Sequence, residues 1–257
     1  MYGLTNKFSN ASEIVLNCFG CKQKIISKNV IISPVLKFSD FDNFEIINTF
    51  GRKYWWKGCT GFYKGKIITI IQSKQSSNNA GDLVIALSYT RCKNVFFLGT
   101  AGSLSNDLYV GDIIIANEAI NGEGFSQYYD PSFSLQDYLS DKAPVAADNK
   151  LLSKIKAQLN KNSIAFSSGK IFTIGSLFAE NKKNISILKN NSIIGIDLET
   201  SAVYQAAQSY NIKTAAYYVV SDKVIKQEIF KGKIDKSTLS KLKISLKLLA
   251  KSALESL

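Results

Sequence analysis

The sequence predicts an α/β fold, a sheet covered by helices, on three observations. Short runs rich in Ile, Val, Phe and Tyr recur through the first half, bounded by Gly and Asn. In the second half β-rich and amphipathic segments alternate, the pattern of strands joined by helices. The 257 residues, 46% apolar and 20% charged, suffice for one domain with a substantial core and exclude disordered and collagen-like classes.

Residues 1–28 read as a weakly patterned lead-in to a domain spanning 29–257. Strands are then expected in "NVIISPVL", "NFEIINTF", "YWWKGCTGFYKG", "KIITIIQS" and "NVFFLG". Between the last two, Asn79 to Tyr89 has helical spacing, with Leu83, Ile85, Ala86 and Leu87 as its apolar face. The glycines of "GTAG" predict a turn, and "VGDIIIANEAI" a strand opening at Val-Gly-Asp. Residues 121–144 lack periodicity and are rich in Gly, Ser, Asp and Tyr, which predicts a long functional loop. There follow a helix in "DNKLLSKIKAQL", a strand in "GKIFTIG", a helix in "LETSAVYQAAQSY", a fully buried strand in "TAAYYVVSD" and a lysine-rich amphipathic helix from Lys236 to Leu254. Neither a linker-like composition break nor an internal repeat interrupts this order, so one domain is expected.

Composition narrows the chemistry. No run of about 18 apolar residues is present, and "MYGLTNKFSNASEIVLNCFG" has no charged start followed by an apolar stretch, so a soluble, cytoplasmic protein without a membrane partner is expected. The net charge is +12, yet Arg52 and Arg91 are the only arginines and the lysines are dispersed. Because arginine supplies the planar fork that reads phosphates and guanines, no nucleic-acid partner is expected. Cys18, Cys21, Cys59 and Cys92 include one C-F-G-C pair, but with no histidine and no second CxxC they read as free thiols, and no metal site is expected. The missing histidines also remove Ser-His and Cys-His arrangements, so acid and base work falls to carboxylates, lysines or tyrosines.

"IIGIDLETSAVYQAA" sets Asp197 and Glu199 where a strand runs into a helix. Open α/β sheets expose ligand sites at such points, and acidic groups also favour helix N-termini; both readings stand at this level. In the "GTAG" segment, Gly99 and its neighbours let backbone amides approach an anion, and Thr100 adds a hydroxyl donor.

Taken in order, "TGFYKGK", "GTAGSL", "VGDIIIA", "DLETSAVYQAA" and "VVSD" resemble the nucleoside phosphorylase and nucleosidase superfamily over roughly Asn29 to Lys223. That superfamily includes purine nucleoside phosphorylase, uridine phosphorylase and methylthioadenosine/adenosylhomocysteine nucleosidase. The resemblance implies a single-domain three-layer α/β/α fold with a central mixed twisted sheet. It implies cleavage of the N-glycosidic bond of a purine-type nucleoside, by phosphorolysis to base and sugar 1-phosphate. It also implies inorganic phosphate as co-substrate, no cofactor, and a homo-oligomer (dimer, trimer or hexamer). Family members carry an acidic-Met-Glu triplet whose second carboxylate binds the ribose 2′ and 3′ hydroxyls. Here it reads Asp197, Leu198, Glu199, so Glu199 becomes the sugar clamp, Leu198 the apolar contact under the sugar, and Asp197 a further substrate-binding residue. Asp222 matches the general acid that protonates purine N7, with Ser221 orienting it, and Phe178 matches the aromatic base platform, with Ile174 and Leu177 close by.

Departures from the family pattern concentrate in the anion site. Where phosphorylases have a glycine and an arginine in the first loop and another arginine before the glycine segment, this chain has Ser33, Lys37 and Phe97. "SKQSSNN" replaces a G-x-G loop, and Ser176 an aspartate. Phosphate then falls to Ser33, Lys37, Gly99 and Thr100, with Arg52 or Lys53 as a further cation, including across a subunit interface. Two alternatives stay open: hydrolysis, with Asp40 or a residue of 121–144 as base, and a non-catalytic nucleoside-binding protein.

Overall fold

The computed structural model describes residues 10–226 and 235–257. The strands Asn29–Ser33 (β1), Glu45–Phe50 (β2), Lys57–Tyr63 (β3), Lys66–Gln72 (β4), Asn94–Ser103 (β5), Ile113–Gly122 (β6), Val145–Ala146 (β7), Phe166–Ile174 (β8), Ile193–Asp197 (β9) and Lys213–Lys223 (β10) join in one mixed sheet. β1 lies parallel between β4 and β5, and antiparallel β3 and β2 carry that side out to an edge. The other side closes on itself: β5 pairs with β10, β10 with β6, β6 with β8, β8 with β9, and β9 returns to β5.

β5 makes that closure possible. Its first four residues pair with β1, while Gly102 and Ser103 pair with Ile196 and Gly195 of β9. Its other edge runs beside β10 from Asn94 to Ser103. The "GTAG" segment, expected to turn, is therefore strand, because a turn there would strip backbone groups from two ladders at once. The expected strand opening at Val-Gly-Asp is corrected too, since β6 begins at Ile113. Gly111 takes φ +93 in a turn before it, donates its N–H to Val220 O at 2.9 Å, and needs glycine's freedom to do so.

Helices Ala11–Phe19 (α1), Ser77–Ser88 (α2), Leu135–Ser140 (α3), Asn149–Lys161 (α4), Lys182–Asn190 (α5), Thr200–Ser209 (α6) and Lys236–Ser256 (α7) cover the sheet. Most start on a polar side chain that accepts from a first-turn amide: Asn10, Ser76, Ser134, Asp148, Asn181 and Asp235. α1 lies within the expected lead-in and buries Val15 and Phe19 in the main core. α2 packs on α1 and α6, and α7 packs on α4, β5 and β10. The main core lies around β1, β4, β5 and β10, with Ile31, Phe96, Phe97, Tyr217 and Tyr218 fully buried.

Residues 121–144 are not one long loop. A 3-10 turn at Phe125–Tyr129 and helix α3 interrupt them, and Leu135 and Leu139 join Leu104, Phe172 and Ile196 in a second, smaller core. The aperiodic sequence conceals this because the segment buries few side chains and satisfies its backbone locally, as in Tyr128 Oη donating to Gly122 O at 2.5 Å. The C-terminal ends of parallel β1, β5 and β10 meet the end of β9, and it is there that α/β sheets open a crevice.

Candidate active site

The two carboxylates at the β9–α6 junction have opposite surroundings. Asp197 is buried and saturated with donors. Its Oδ1 accepts from Thr173 Oγ1 at 2.7 Å, and its Oδ2 accepts from Glu199 N at 3.1 Å, Thr200 N at 2.7 Å, Tyr218 Oη at 3.3 Å and Thr200 Oγ1. Asp197 thus ties β8 and β10 to the first amides of α6, which would otherwise lack partners. Glu199 stands at the N-cap position of α6 without using its side chain as a cap. It is 4% exposed, and its Oε1 has no hydrogen-bond partner among the described residues. Burial, reinforced by the charge of Asp197, pushes its carboxyl up to about 8.

Glu199 lines a cavity of about 140 Å³ at the strand ends, together with Thr100, Leu198, Glu180, Ser221 and Asp222. Ser221 Oγ donates to Asp222 Oδ1 at 2.7 Å, fixing one carboxyl oxygen of the β10 terminus. Gly102 keeps the space beside it open: a Cβ there would come within 2.3 Å of Val224 Cγ2 and 3.4 Å of Asp222 Oδ2. Gly102 belongs to the "GTAG" motif and the β5–β10 ladder sets it opposite Asp222, whereas Glu180 does not stand out in the sequence and only the fold brings it to this cavity. Burial and the charge of Asp222 push the Glu180 carboxyl up to about 7. Among the described residues the lining holds four carboxyl groups, those of Glu180, Asp197, Glu199 and Asp222, and no lysine or arginine. Lys223 donates to Asn106 O at 2.8 Å and lies 3.9 Å over the Tyr109 ring.

The residues expected around phosphate lie mostly outside this lining. Ser33 is buried, and its Oγ accepts from Val35 N at 3.2 Å and Leu36 N at 3.0 Å, closing the turn after β1. Lys37 is exposed, and its backbone N–H donates to Asp40 Oδ2 at 2.7 Å, so that Asp40 holds the turn Phe38–Asp40. Gly99 sits inside β5, where a Cβ would come within 3.1 Å of the Tyr218 ring. Arg52 and Lys53 are exposed between β2 and β3. Only Thr100 of the expected anion contacts lines the cavity. Phe178 is 78% exposed, next to Leu177 of the lining, and Ser176 shares a hydrogen bond of 2.9 Å with Tyr129 Oη. Cys59 and Cys92 are buried, and burial pushes their thiols up to about 12, which leaves them poor nucleophiles.

Carboxyl groups, two hydroxyls and several apolar side chains, with no lysine or arginine among the described residues, suit a ligand rich in hydrogen-bond donors. Residues 34–250 match the family model of the phosphorylase superfamily. The chain is 30% identical over 189 residues, covering 73% of it and 76% of the relative, to the purine nucleoside phosphorylase DeoD-type of Bacillus velezensis. It is 27% identical over 185 residues, covering 70% and 74%, to the purine nucleoside phosphorylase DeoD-type of Buchnera aphidicola. In fold it superposes on uridine phosphorylase from Vibrio fischeri with a TM-score of 0.75, at 20% identity over 90% of this chain and 92% of that one. Purine nucleoside phosphorylase from Toxoplasma gondii, in complex with immucillin-H, gives 0.73 at 18% identity over 91% and 92%.

Proposed function

The chain belongs to the phosphorylase superfamily, and from that premise we propose that its cavity cleaves purine nucleosides by phosphorolysis. The observation that carries this reading is Glu199, a buried carboxyl with an oxygen lacking any donor among the described residues, in the same cavity as Asp222. A sugar diol supplies two donors to an acceptor-only group, which is what a stranded carboxylate lacks. Leu198 packs beneath the sugar, and Asp197 orients the junction without touching substrate. As the C1′–N9 bond breaks, its electron pair leaves with the base, and N7 takes a proton from Asp222 while Ser221 holds the other carboxyl oxygen. A phosphate oxygen forms the new bond to C1′, so the products are free base and sugar 1-phosphate. Thr100 donates to that phosphate, and Phe178 lies against the base.

The phosphate needs a cation, which the lining does not hold among the described residues, and we assign it to Lys37 or, across a subunit interface, to Arg52 or Lys53. We also propose that residues 29–257 form the working domain after a lead-in of 1–28, and that the protein acts as a cytoplasmic homo-oligomer (dimer, trimer or hexamer) without cofactor or metal. Supporting the oligomer, Ile46 and Ile47 on edge strand β2, Phe62 on β3 and Ile67 on β4 are exposed. Among the described residues no helix is long and apolar enough to cross a membrane. A second reading, hydrolysis, draws on one observation: among the described residues the lining sets four carboxyls and no lysine or arginine, which opposes an incoming anion and accepts a neutral water. Mass spectrometry of the products from adenosine and inosine, with and without phosphate, separates the two. Sugar 1-phosphate formed only with phosphate supports phosphorolysis, free sugar in both buffers supports hydrolysis, and no sugar product in either overturns both.

A further inference from the structure

Helix α7 carries more charge on its outer side than its packing explains. Leu249, Ala250, Ala253 and Leu254 fix its inner side in the core, and the opposite side faces solvent. There Lys236, Lys243, Lys247 and Lys251 recur at helical spacing as one exposed stripe, and Lys241, Ile244 and Leu248 form a second beside it. The first stripe runs about 22 Å, at about 1.5 Å per residue. Lysines spaced four apart repel one another and weaken a helix, and α7 has no Asp or Glu between Lys236 and Leu254 to relieve them. Lys241 reaches Asp112 Oδ1 at 3.5 Å, but among the described residues Lys236, Lys243 and Lys247 form no ion pair. Glu255, the next acid along the helix, is engaged by Lys64, Gln158 and Asn162. Beside this charge Ile244 and Leu248 stand one turn apart, 59% and 39% exposed.

We propose that this face of α7 docks on the anionic surface of a lipid bilayer. The proposal goes beyond the nucleoside reading and does not depend on it. The lack of a long apolar run speaks against a spanning segment, whereas a surface contact needs only positive charge and a shallow apolar edge. Lysine is a compact charge on a flexible stem, which suits headgroups that move laterally. α7 holds neither the arginine fork nor the aromatic ring with which proteins grip nucleic acids. Ile244 and Leu248 favour a bilayer over any other polyanion, because an apolar phase lies just beneath the headgroups. Aliphatic side chains at the height of the lysine stems enter that phase while the ammonium groups stay level with the lipid phosphates. An acidic protein or an RNA would answer the charge and give these two side chains no such phase.

The test is sedimentation of the full chain with vesicles of phosphatidylcholine alone and of equal parts phosphatidylcholine and phosphatidylglycerol. The wild type is expected to bind the anionic vesicles, to leave them at high salt, and to ignore the neutral ones. Lys243→Ala with Lys247→Ala should weaken binding by roughly 25-fold, about fivefold for each lysine near an anionic surface. The same exchange at Lys182 and Lys183, exposed on α5, should change it by less than about fivefold. Ile244→Ser with Leu248→Ser leaves the charge unchanged and should weaken binding by roughly fourfold or more, the effect of one methylene withheld from the bilayer. Melting temperatures should stay at or above wild type, since the replaced side chains are exposed, and Lys243→Gln with Lys247→Gln repeats the measurement if the alanine pair melts early. A wild type that ignores anionic vesicles overturns the proposal. Equal losses from the α5 and α7 lysine pairs also overturn it, as adsorption by net charge, and so does unchanged affinity in the Ile244 and Leu248 variant. A single-stranded RNA bound more tightly than the vesicles through the same α7 lysines overturns it in favour of a nucleic acid. Nucleoside cleavage should be unaltered in every variant, so the cavity reading and this one fail separately.

Discussion

The turn after β1 and the β9–α6 junction both carry polar side chains at strand ends, and they use them differently. In the first, Ser33 and Asp40 direct their oxygens to backbone amides of their own turn. In the second, Asp197 collects every donor within reach, and Glu199, two residues on, has an oxygen with none. A polar group satisfied by its own chain explains the fold, and a buried one left unsatisfied points to a ligand. Asp197 and Glu199 are chemically near-identical, so the contrast between them is the cleanest measure of that rule.

The largest expected effect lies at the strand end facing the junction. Asp222→Asn should lower purine nucleoside cleavage by about 10² to 10⁴-fold while leaving the melting temperature near wild type, because the amide keeps the shape but delivers no proton. Wild-type turnover in that variant removes Asp222 from the chemistry.

Asp197→Ala breaks the comparison from its structural side. It leaves Thr173, Tyr218 and the first amides of α6 without their acceptor, and about 3 kcal/mol or more of unfolding free energy should be lost, given about 1 to 3 kcal/mol for each buried group stranded. Denaturant titration reads this directly, and a loss below about 1 kcal/mol contradicts the network as described.

Glu199→Gln should do the reverse. Stability holds or rises, since a carboxyl that is costly to bury becomes a neutral amide, whereas kcat/KM for ribosides falls by roughly tenfold to a hundredfold. If ribosides and the corresponding free bases bind the wild type equally well, the sugar clamp is misassigned.

A pH series sharpens the same contrast. Glu199 and Glu180 are raised in the folded protein, to about 8 and about 7, above the 4.5 of a free glutamate. Folding therefore favours their protonated forms, so their contribution is fully present below pH 4.5 and lost as pH rises through 7 to 8. Melting temperature of the ligand-free protein should decline across that window, and the decline should be shallower in Glu199→Gln. Nucleoside affinity should move oppositely, improving as pH rises toward 8, because the diol needs the carboxylate form. A pH-independent affinity in the wild type would argue that Glu199 is already ionised or does not meet the sugar.

The smallest effect belongs to the turn after β1. Ser33→Ala removes an acceptor from two amides and should cost about 1 kcal/mol in a denaturant melt. A loss above about 3 kcal/mol would mean that the hydroxyl does more than close a turn.

Much of the fold was legible in the chain itself. Period-two and continuous apolar runs marked the strands of the first half, and 3.6-residue spacing marked α2, α4, α6 and α7, because these elements bury a face that must be apolar along its length. The candidate site was legible only as motifs: "DLETSAVYQAA" and "VVSD" pointed to Leu198, Glu199, Ser221 and Asp222, which the structure gathers around one cavity with Thr100. The glycines of "GTAG" misled, since a glycine that admits a close neighbour strand and one that turns the chain are identical in sequence. The resemblance singles out Lys37, in place of an arginine, and Phe178, but a motif carries no information on where a side chain ends relative to a wall built from other strands.

Local sequence, then, determined the elements, their order and the residue types available for chemistry, because backbone geometry answers to neighbours a few positions away. The tertiary structure alone decided that β5 passes β1 to close on β9, that Glu180 comes to face Asp222, and which carboxylate of the 197–199 pair is free. Thr173 and Tyr218 stand 24 and 21 residues from Asp197, and it is their arrival that saturates Asp197, while Glu199 Oε1 has no partner among the described residues. Hydrogen-bond satisfaction depends on donors from distant strands meeting in space, and no pattern along the chain records where they meet.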